Sequence, residues 1–158
     1  MKTIVLGVGN PILGDDGVGI HVVNKVKQQI NDPNITIDEA LTGGMNLLDL
    51  IVGYDKAIIV DAVKTKNGKD GDVKQMPLRN FPTMHSCNPH DVSLTEAIEL
   101  AEKLGEINIP KEIIVIAVLM KHLPCEFKET LSENIGAAVP KAVEMTLKEI
   151  KKKEKISS

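Results

Sequence analysis

Short apolar runs rich in β-branched residues recur along the chain, and each is typical of a strand buried on both faces of a sheet. The three clearest are Thr3–Val8 (TIVLGV), Lys56–Val60 (KAIIV) and Glu112–Leu119 (EIIVIAVL). Ile35–Asp38 (ITID) is predicted as a fourth strand. The segment Gly68–Met76 favours a turn followed by an edge strand.

Apolar residues at helical spacing occupy the stretches between these runs. The four predicted helices run from near Asp16 to before Asn31, over Met45–Val52, from about Asp91 to Leu104, and from Ile135 or Pro140 into the lysine-rich tail. Alternating buried strands and amphipathic helices predict a three-layer α/β/α fold, with a mainly parallel, twisted sheet and helices on both faces. Ligands of such folds bind at the carboxyl ends of the strands.

Composition narrows the class of protein. A chain of 158 residues is predicted to form a single domain, residues 1–158. The net charge is −3 and the dense basic run is confined to Lys148–Lys155, within a tail (148–158) expected to be frayed, so no nucleic-acid partner is expected. Two cysteines, no signal peptide and no apolar run of membrane-spanning length predict a cytoplasmic protein without a membrane partner.

The first strand leads into a glycine-rich loop, GVGNPILGDDGVG, at residues 7–19. A Rossmann-type nucleotide-binding module would carry G-x-G-x-x-G here. Gly7 and Gly9 fit that pattern, but Ile12 stands at the position of the third glycine and the next glycine is Gly14. Two carboxylates at a helix start would also repel a pyrophosphate. Asp38 or Glu39 stands where a ribose-binding acid is expected, so nucleotide binding remains the alternative function.

The adjacent acids Asp15 and Asp16 have two interpretations. One acid at a helix start can cap the helix, which leaves the second free to point into the crevice. Asp61 ends the apolar run IIVD, and the loop MHSCNPHDVSL, residues 84–94, contains His85 and His90. Two carboxylates and an imidazole would suit a borderline divalent metal such as nickel or zinc.

The cysteines allow two other sites. Cys87 and His90 could be the nucleophile and the base of a thiol protease, although a thiol and an imidazole that are neighbours on one loop seldom reach the geometry for attack. Cys87-x-x-His90 and His122-x-x-Cys125 are half-motifs of a zinc site. Neither pattern is complete.

Taken together, the motifs resemble those of the nickel-iron hydrogenase maturation endopeptidases over nearly the full length. They are GVGNPILGDDGVG, then TGGMNLLDL at 42–50, IIVDAV at 58–63 and NPHDVSL at 88–94. The resemblance implies a twisted sheet between helices. It also implies a substrate, the precursor of the hydrogenase large subunit, whose C-terminal extension is removed after nickel insertion.

The resemblance assigns the catalytic and metal-contacting roles to Asp16, Asp61 and His90. It implies that nickel arrives inside the substrate, so the peptidase is expected to hold no metal tightly by itself. Gly43 and Gly44 are expected to form a close-approach loop for the substrate tail. Many relatives carry Asp-Gly-Gly after the second strand, where this chain reads DEAL at 38–41, so a role for Asp38 or Glu39 stays open.

Two further expectations concern assembly. We expect the protein to be a monomer whose partner is the large-subunit precursor. A noncatalytic metal-delivery partner of the same complex is a further hypothesis, which differs from the peptidase in leaving the large subunit uncut.

Overall fold

The computed structural model describes residues 1–41, 44–66, 68–78, 94–122 and 127–152. Its strands are β1 (Thr3–Val8), β2 (Ile35–Ala40), β3 (Lys56–Lys64), β4 (Val73–Pro77) and β5 (Glu112–Met120). Its α-helices are α1 (Val18–Lys27), α2 (Gly44–Ile51), α3 (Leu94–Lys103) and α4 (Glu133–Lys151), and a 3₁₀ turn, Gly14–Gly17, precedes α1.

The strands form one mixed sheet in the order β2-β1-β3-β5-β4. β1, β2, β3 and β5 are parallel, and β4 pairs antiparallel with β5 at one edge. The predicted mainly parallel sheet and the predicted edge strand are therefore confirmed. Parallel strands place their carboxyl ends along one edge, which we call the carboxyl edge; their amino ends define the amino edge.

Two apolar clusters fill the faces of the sheet, as the α/β/α prediction requires. α2 and α3 cover one face, where Leu47, Ile51 and Leu94 pack against strand residues such as Leu6 and Ile59. α1 and α4 cover the other face with a second, Val- and Ala-rich set of contacts. Successive strand residues alternate between the two clusters, which explains why the central strands are apolar at almost every position.

Several element bounds differ from the sequence prediction by a few residues; β2, for example, continues to Ala40. β3 continues to Lys64, so Asp61 lies within the strand and does not end it. The predicted first helix opens with the 3₁₀ turn, and α1 proper ends at Lys27. α4 begins at Glu133 and carries Pro140 inside, earlier than either predicted start.

The lysine-rich tail is helical through Lys151, and the buried residue of this stretch is an acid, Glu149. Its carboxylate accepts hydrogen bonds from Lys56 Nζ at 2.7 Å and from Gln75 Nε2 at 2.5 Å. Lys56 also lies 3.1 Å from a carboxylate oxygen of Glu112. These contacts fasten the end of α4 to the amino edge of the sheet; fraying of the tail stays a prediction for residues 153–158, which lie outside the described part.

No helix in the described part of the chain is long and apolar enough to cross a membrane.

Candidate functional site

The glycine-rich loop folds back over the carboxylate of Asp16 at the carboxyl edge. Gly9 continues from β1 and donates its N–H to the carbonyl of Ala40 at the end of β2, at 3.0 Å. The next residue, Asn10, donates its backbone N–H to Asp16 Oδ2 at 2.9 Å. Asp16 is 8% exposed. The loop thus gives a backbone hydrogen bond to a carboxylate that is almost fully buried.

The glycines of this loop allow backbone segments to touch. Gly9 has φ +144°, and a Cβ there would collide with the carbonyl oxygen of Asp16. A Cβ at Gly19 would collide with the carbonyl oxygen of Val60, the residue before Asp61. The spacing that fails the nucleotide-binding pattern is thus explained by close packing of the turn and α1 onto β1 and β3.

Asp61 lies in β3 just past the last residue of that strand that pairs with β1. The last β1–β3 pair is Gly7 with Val60, whereas β3 and β5 remain paired at Asp61 and Ala117. Asp61 is 3% exposed, and its Oδ1 accepts the backbone N–H of Ala62 at 2.8 Å. Burial, reinforced by the negative charge of Asp16, raises the pKa of Asp61 well above its ordinary value, and the Ala62 N–H opposes this shift.

Two buried carboxylates that repel each other can take part in metal binding or in proton transfer. Such a pair can hold a proton or receive a cation, and carboxylate oxygens are ligands for borderline and hard divalent metals. A pair of this kind can therefore bind an incoming metal ion, or hold and release a proton beside a reacting group.

Part of the predicted ligand set falls outside the described residues. His90 lies there, as do His85 and the two cysteines of the alternative thiol and zinc sites, Cys87 and Cys125. His122, the remaining member of the zinc half-motifs, is described and exposed. Of the two predicted substrate-contacting glycines, Gly43 also lies there, and Gly44 begins α2. Within the described ranges no three His, Cys, Asp or Glu side chains come together as a metal site. The structure thus brings Asp16 close enough for its charge to act on Asp61, and the ligand roles of Asp16, Asp61 and His90 all stay predictions.

Asp15 makes a contact with another helix that the sequence did not predict. Its Oδ1 accepts the backbone N–H of Ser132 at 2.7 Å, and its Oδ2 accepts the Ser132 hydroxyl at 2.8 Å. Ser132 is the N-cap residue of α4. The N-cap residue of α1 is Gly17, and no side-chain hydrogen bond caps that helix. The interpretation of Asp15 as a cap of its own helix is therefore wrong: it binds the start of a helix 117 residues away in sequence. A serine just before the α4 pattern was the available signal for that helix start.

Asp38 and Glu39 are both exposed on β2, which is the outermost strand on the side of the sheet opposite β4. Asp38 Oδ1 accepts the backbone N–H of Glu39 at 2.8 Å. Their register partners on β1 are Leu6 and Gly7, so both precede the end of the strand.

Comparison with known proteins finds relatives among hydrogenase maturation proteases. A chain of Methanocaldococcus jannaschii provisionally named as a hydrogenase maturation protease is 31% identical over 154 residues, covering 94% of this chain and 96% of its own length. The hydrogenase 2 maturation protease of Escherichia coli K12 is 28% identical, with 93% and 89% covered. The solved structure of the hydrogenase maturating endopeptidase HybD from Escherichia coli superposes with a TM-score of 0.79 at 27% identity, covering 95% of this chain and 92% of that one.

The model of one protein family, HycI, described as hydrogenase maturation protease, matches residues 20–149. That span contains Asp61 and all four α-helices except the first two residues of α1 and the last two of α4. The chain belongs to the hydrogenase maturation protease family, and it is a peptidase.

Proposed function

We propose that this peptidase removes the C-terminal extension from the nickel-loaded precursor of a nickel-iron hydrogenase large subunit, and that it recognises the substrate's nickel through Asp16, Asp61 and His90. The observation that carries the proposal is the buried Asp16–Asp61 pair at the carboxyl edge, in a chain of the hydrogenase maturation protease family. Nickel is here part of the substrate.

The surroundings of the pair support a role in cation recognition. The charge acting on Asp61 is the negative charge of Asp16, and burial amplifies the repulsion. A divalent cation delivered between the two carboxylates would relieve that repulsion and displace a proton from Asp61. A substrate without nickel gains nothing from the pair, so the pair discriminates between loaded and unloaded precursors.

His90 supplies the third ligand in this proposal. In the chain it precedes Leu94, the first residue of α3, by four positions, and α3 packs on the sheet face that includes Ile59 and Val63. Strand alternation places Asp61 on that same face. Three protein ligands leave coordination positions for the substrate's own donors.

The residues of this chain would then position the scissile bond. Holding the nickel centre at Asp16 and Asp61 fixes the adjacent substrate tail against the carboxyl edge, and correct placement of reacting groups is itself a large part of catalysis. An aspartate whose pKa is raised can also hold a proton and exchange it with a reacting group. The stretch of chain that follows β2 and contains Gly43 and Gly44 is the proposed path of the tail.

The test is cleavage of purified precursor, followed by intact-mass spectrometry. Nickel-loaded precursor should lose its C-terminal extension when the wild-type protein is added, and metal-free precursor should stay intact. Equal cleavage of both forms would contradict nickel recognition. A large subunit that gains nickel and keeps its length would favour the metal-delivery alternative. The cytoplasm as the compartment, and the monomeric state, remain predictions from the sequence.

A further inference from the structure

Asp15 makes a contact that the proposed function does not use. Both of its carboxylate oxygens are engaged by Ser132, at 2.7 Å from the backbone N–H and at 2.8 Å from the hydroxyl. Hydrogen bonds to an ionised acceptor are shorter and stronger than neutral ones. The Ser132 side chain makes no capping bond to its own helix. The serine at the start of α4 is therefore oriented toward the turn that carries Asp16.

Two backbone hydrogen bonds join the same parts of the chain. Gly14 donates its N–H to the carbonyl of Lys128 at 2.6 Å, and Lys128 donates its own N–H to the carbonyl of Ile12 at 2.8 Å. The loop before Asp16 is thus attached at several points to the segment that leads into α4.

Helix α4 is a firm support for this attachment because its far end is also fixed. Glu149 accepts bonds from Lys56 and Gln75 in a buried position. Between Ser132 and Glu149 the helix packs its apolar side chains, including Ile135 and Val139, into one of the two core clusters. Movement of α4 relative to the sheet would disrupt both that packing and the buried ion pair.

We propose that Asp15 is a positioning residue, which holds the turn Gly14–Gly17 on helix α4 so that the neighbouring Asp16 stays opposite Asp61. The two acids are consecutive in a four-residue turn, so a shift of one displaces the other. A displacement of about 1 Å near reacting groups can lower a rate by roughly a hundredfold. This inference rests on the proposed function for the role of Asp16.

Asp55 provides a matched control. Its Oδ2 accepts the backbone N–H of Lys2 at 2.8 Å, a bond that also joins distant parts of the chain, but it lies at the amino edge beside Lys56. Asp15→Asn and Asp55→Asn therefore make the same chemical change in comparable contacts, and only Asp15 adjoins the carboxylate pair.

The experiment measures Cd²⁺ affinity by isothermal titration calorimetry and single-turnover cleavage of nickel-loaded precursor. Asp15→Asn should lose about fivefold to tenfold in both readouts, on the order expected for a charge-assisted bond. Asp55→Asn should stay within about twofold of wild type in both, at a similar loss of thermal stability. Ser132→Thr, which keeps the N–H and the hydroxyl, should retain wild-type values in both readouts. Ser132→Ala should lie between wild type and Asp15→Asn.

The double variant Asp15→Asn with Ser132→Ala should be no worse than Asp15→Asn alone, because both changes break one contact. Additive losses in the double variant, or equal losses in Asp15→Asn and Asp55→Asn, would overturn the positioning role. If wild type fails to cut nickel-loaded precursor, the proposed function fails, and the Cd²⁺ titration still decides whether Asp15 positions Asp16. A wild type that neither cuts nor binds Cd²⁺ overturns both.

Discussion

The two edges of the sheet treat buried charge in opposite ways. At the amino edge, Lys56 and Glu149 are each 4% exposed, and they lie 2.7 Å apart as an ion pair. At the carboxyl edge, Asp16 and Asp61 are similarly buried, but both are acids and the charge of one raises the pKa of the other. The first arrangement pairs opposite charges, whereas the second brings two like charges together. Charge at the amino edge therefore stabilises the fold, and the proposed function assigns the charge at the carboxyl edge to recognition of the substrate's metal.

The largest effect should follow from changes at the carboxyl edge. Asp16→Asn, Asp61→Asn and His90→Ala should each reduce processing of nickel-loaded precursor by at least about a thousandfold, equivalent to roughly 4 kcal/mol in the barrier. Each change removes one ligand from the same proposed metal site, so the double variant Asp16→Asn with His90→Ala should be little worse than either single variant. The measurement is precursor cleavage, with circular dichroism to verify folding. Near wild-type cleavage by Asp61→Asn and His90→Ala would refute the metal-recognition mechanism.

At the amino edge a comparable change should affect the fold and spare the chemistry. Lys56→Met keeps most of the side-chain volume but leaves Glu149 buried without its cation, which should lower the free energy of unfolding by about 3 kcal/mol. Urea denaturation measures this loss. Cleavage by the folded fraction should stay close to wild type.

The exposed pair of Lys148 and Glu144 provides the control for that change. Its N–O distance is 3.2 Å and its side chains are 75% and 65% exposed. Glu144→Ala should therefore change stability by less than about 0.5 kcal/mol. If Lys56→Met is as mild as Glu144→Ala, the amino edge does not depend on its buried ion pair.

A smaller effect is expected for Asp61→Asn in the metal-free protein, and it is a gain of stability where the previous variants lose stability. Because the pKa of Asp61 is raised in the folded state, folding retains a proton that the unfolded chain releases above about pH 4. The contribution of Asp61 to stability is thus present below the unfolded pKa and is lost as pH rises toward the folded pKa. Asp61→Asn should remove this loss, so at pH 7 the inactive variant should be more stable than wild type.

Thermal unfolding between pH 4 and pH 8 tests that sign. The difference in melting temperature between Asp61→Asn and wild type should grow with pH. A variant that is less stable than wild type at pH 7 would show that Asp61 is ionised and stabilised in the metal-free fold.

Sequence alone predicted the layers because burial on both faces demands long apolar runs, and β1, β3 and β5 satisfy that demand directly. The end of β3 was harder to place. Asp61 interrupts the apolar pattern, yet β5 continues beside it and keeps the ladder intact to Lys64. Strand length here is set by the neighbouring strand, which local pattern does not reveal.

The location of the two acids was predictable because ligand sites of parallel sheets lie at the carboxyl ends of the strands, whereas a contact set by the docking of a helix was not. A glycine-rich loop with two acids after a first strand pointed to this crevice, and in the folded chain the charge of Asp16 acts on the buried carboxyl group of Asp61. The contact of Asp15 with Ser132 spans 117 positions and depends on how α4 docks, so it could not be read from either segment. The role of His90 stays a prediction.

The smallest effect concerns the end of α4, where the sequence shows mainly lysines. Truncation after Ile150 keeps Glu149 and its bonds to Lys56 and Gln75, so stability should fall by less than about 1 kcal/mol and cleavage should be nearly unchanged. Truncation after Lys148 removes only two further residues, but one of them is Glu149. That shorter chain should lose about 3 kcal/mol, as Lys56→Met does, because Lys56 is then buried without its main counter-charge. Urea titrations of the two truncated proteins decide the matter. If both truncated proteins are as stable as the full chain, the last turn of α4 is dispensable and core packing alone holds the amino edge. If the protein truncated after Ile150 cleaves the precursor more than about tenfold more slowly than the full chain, the basic tail takes part in docking the precursor.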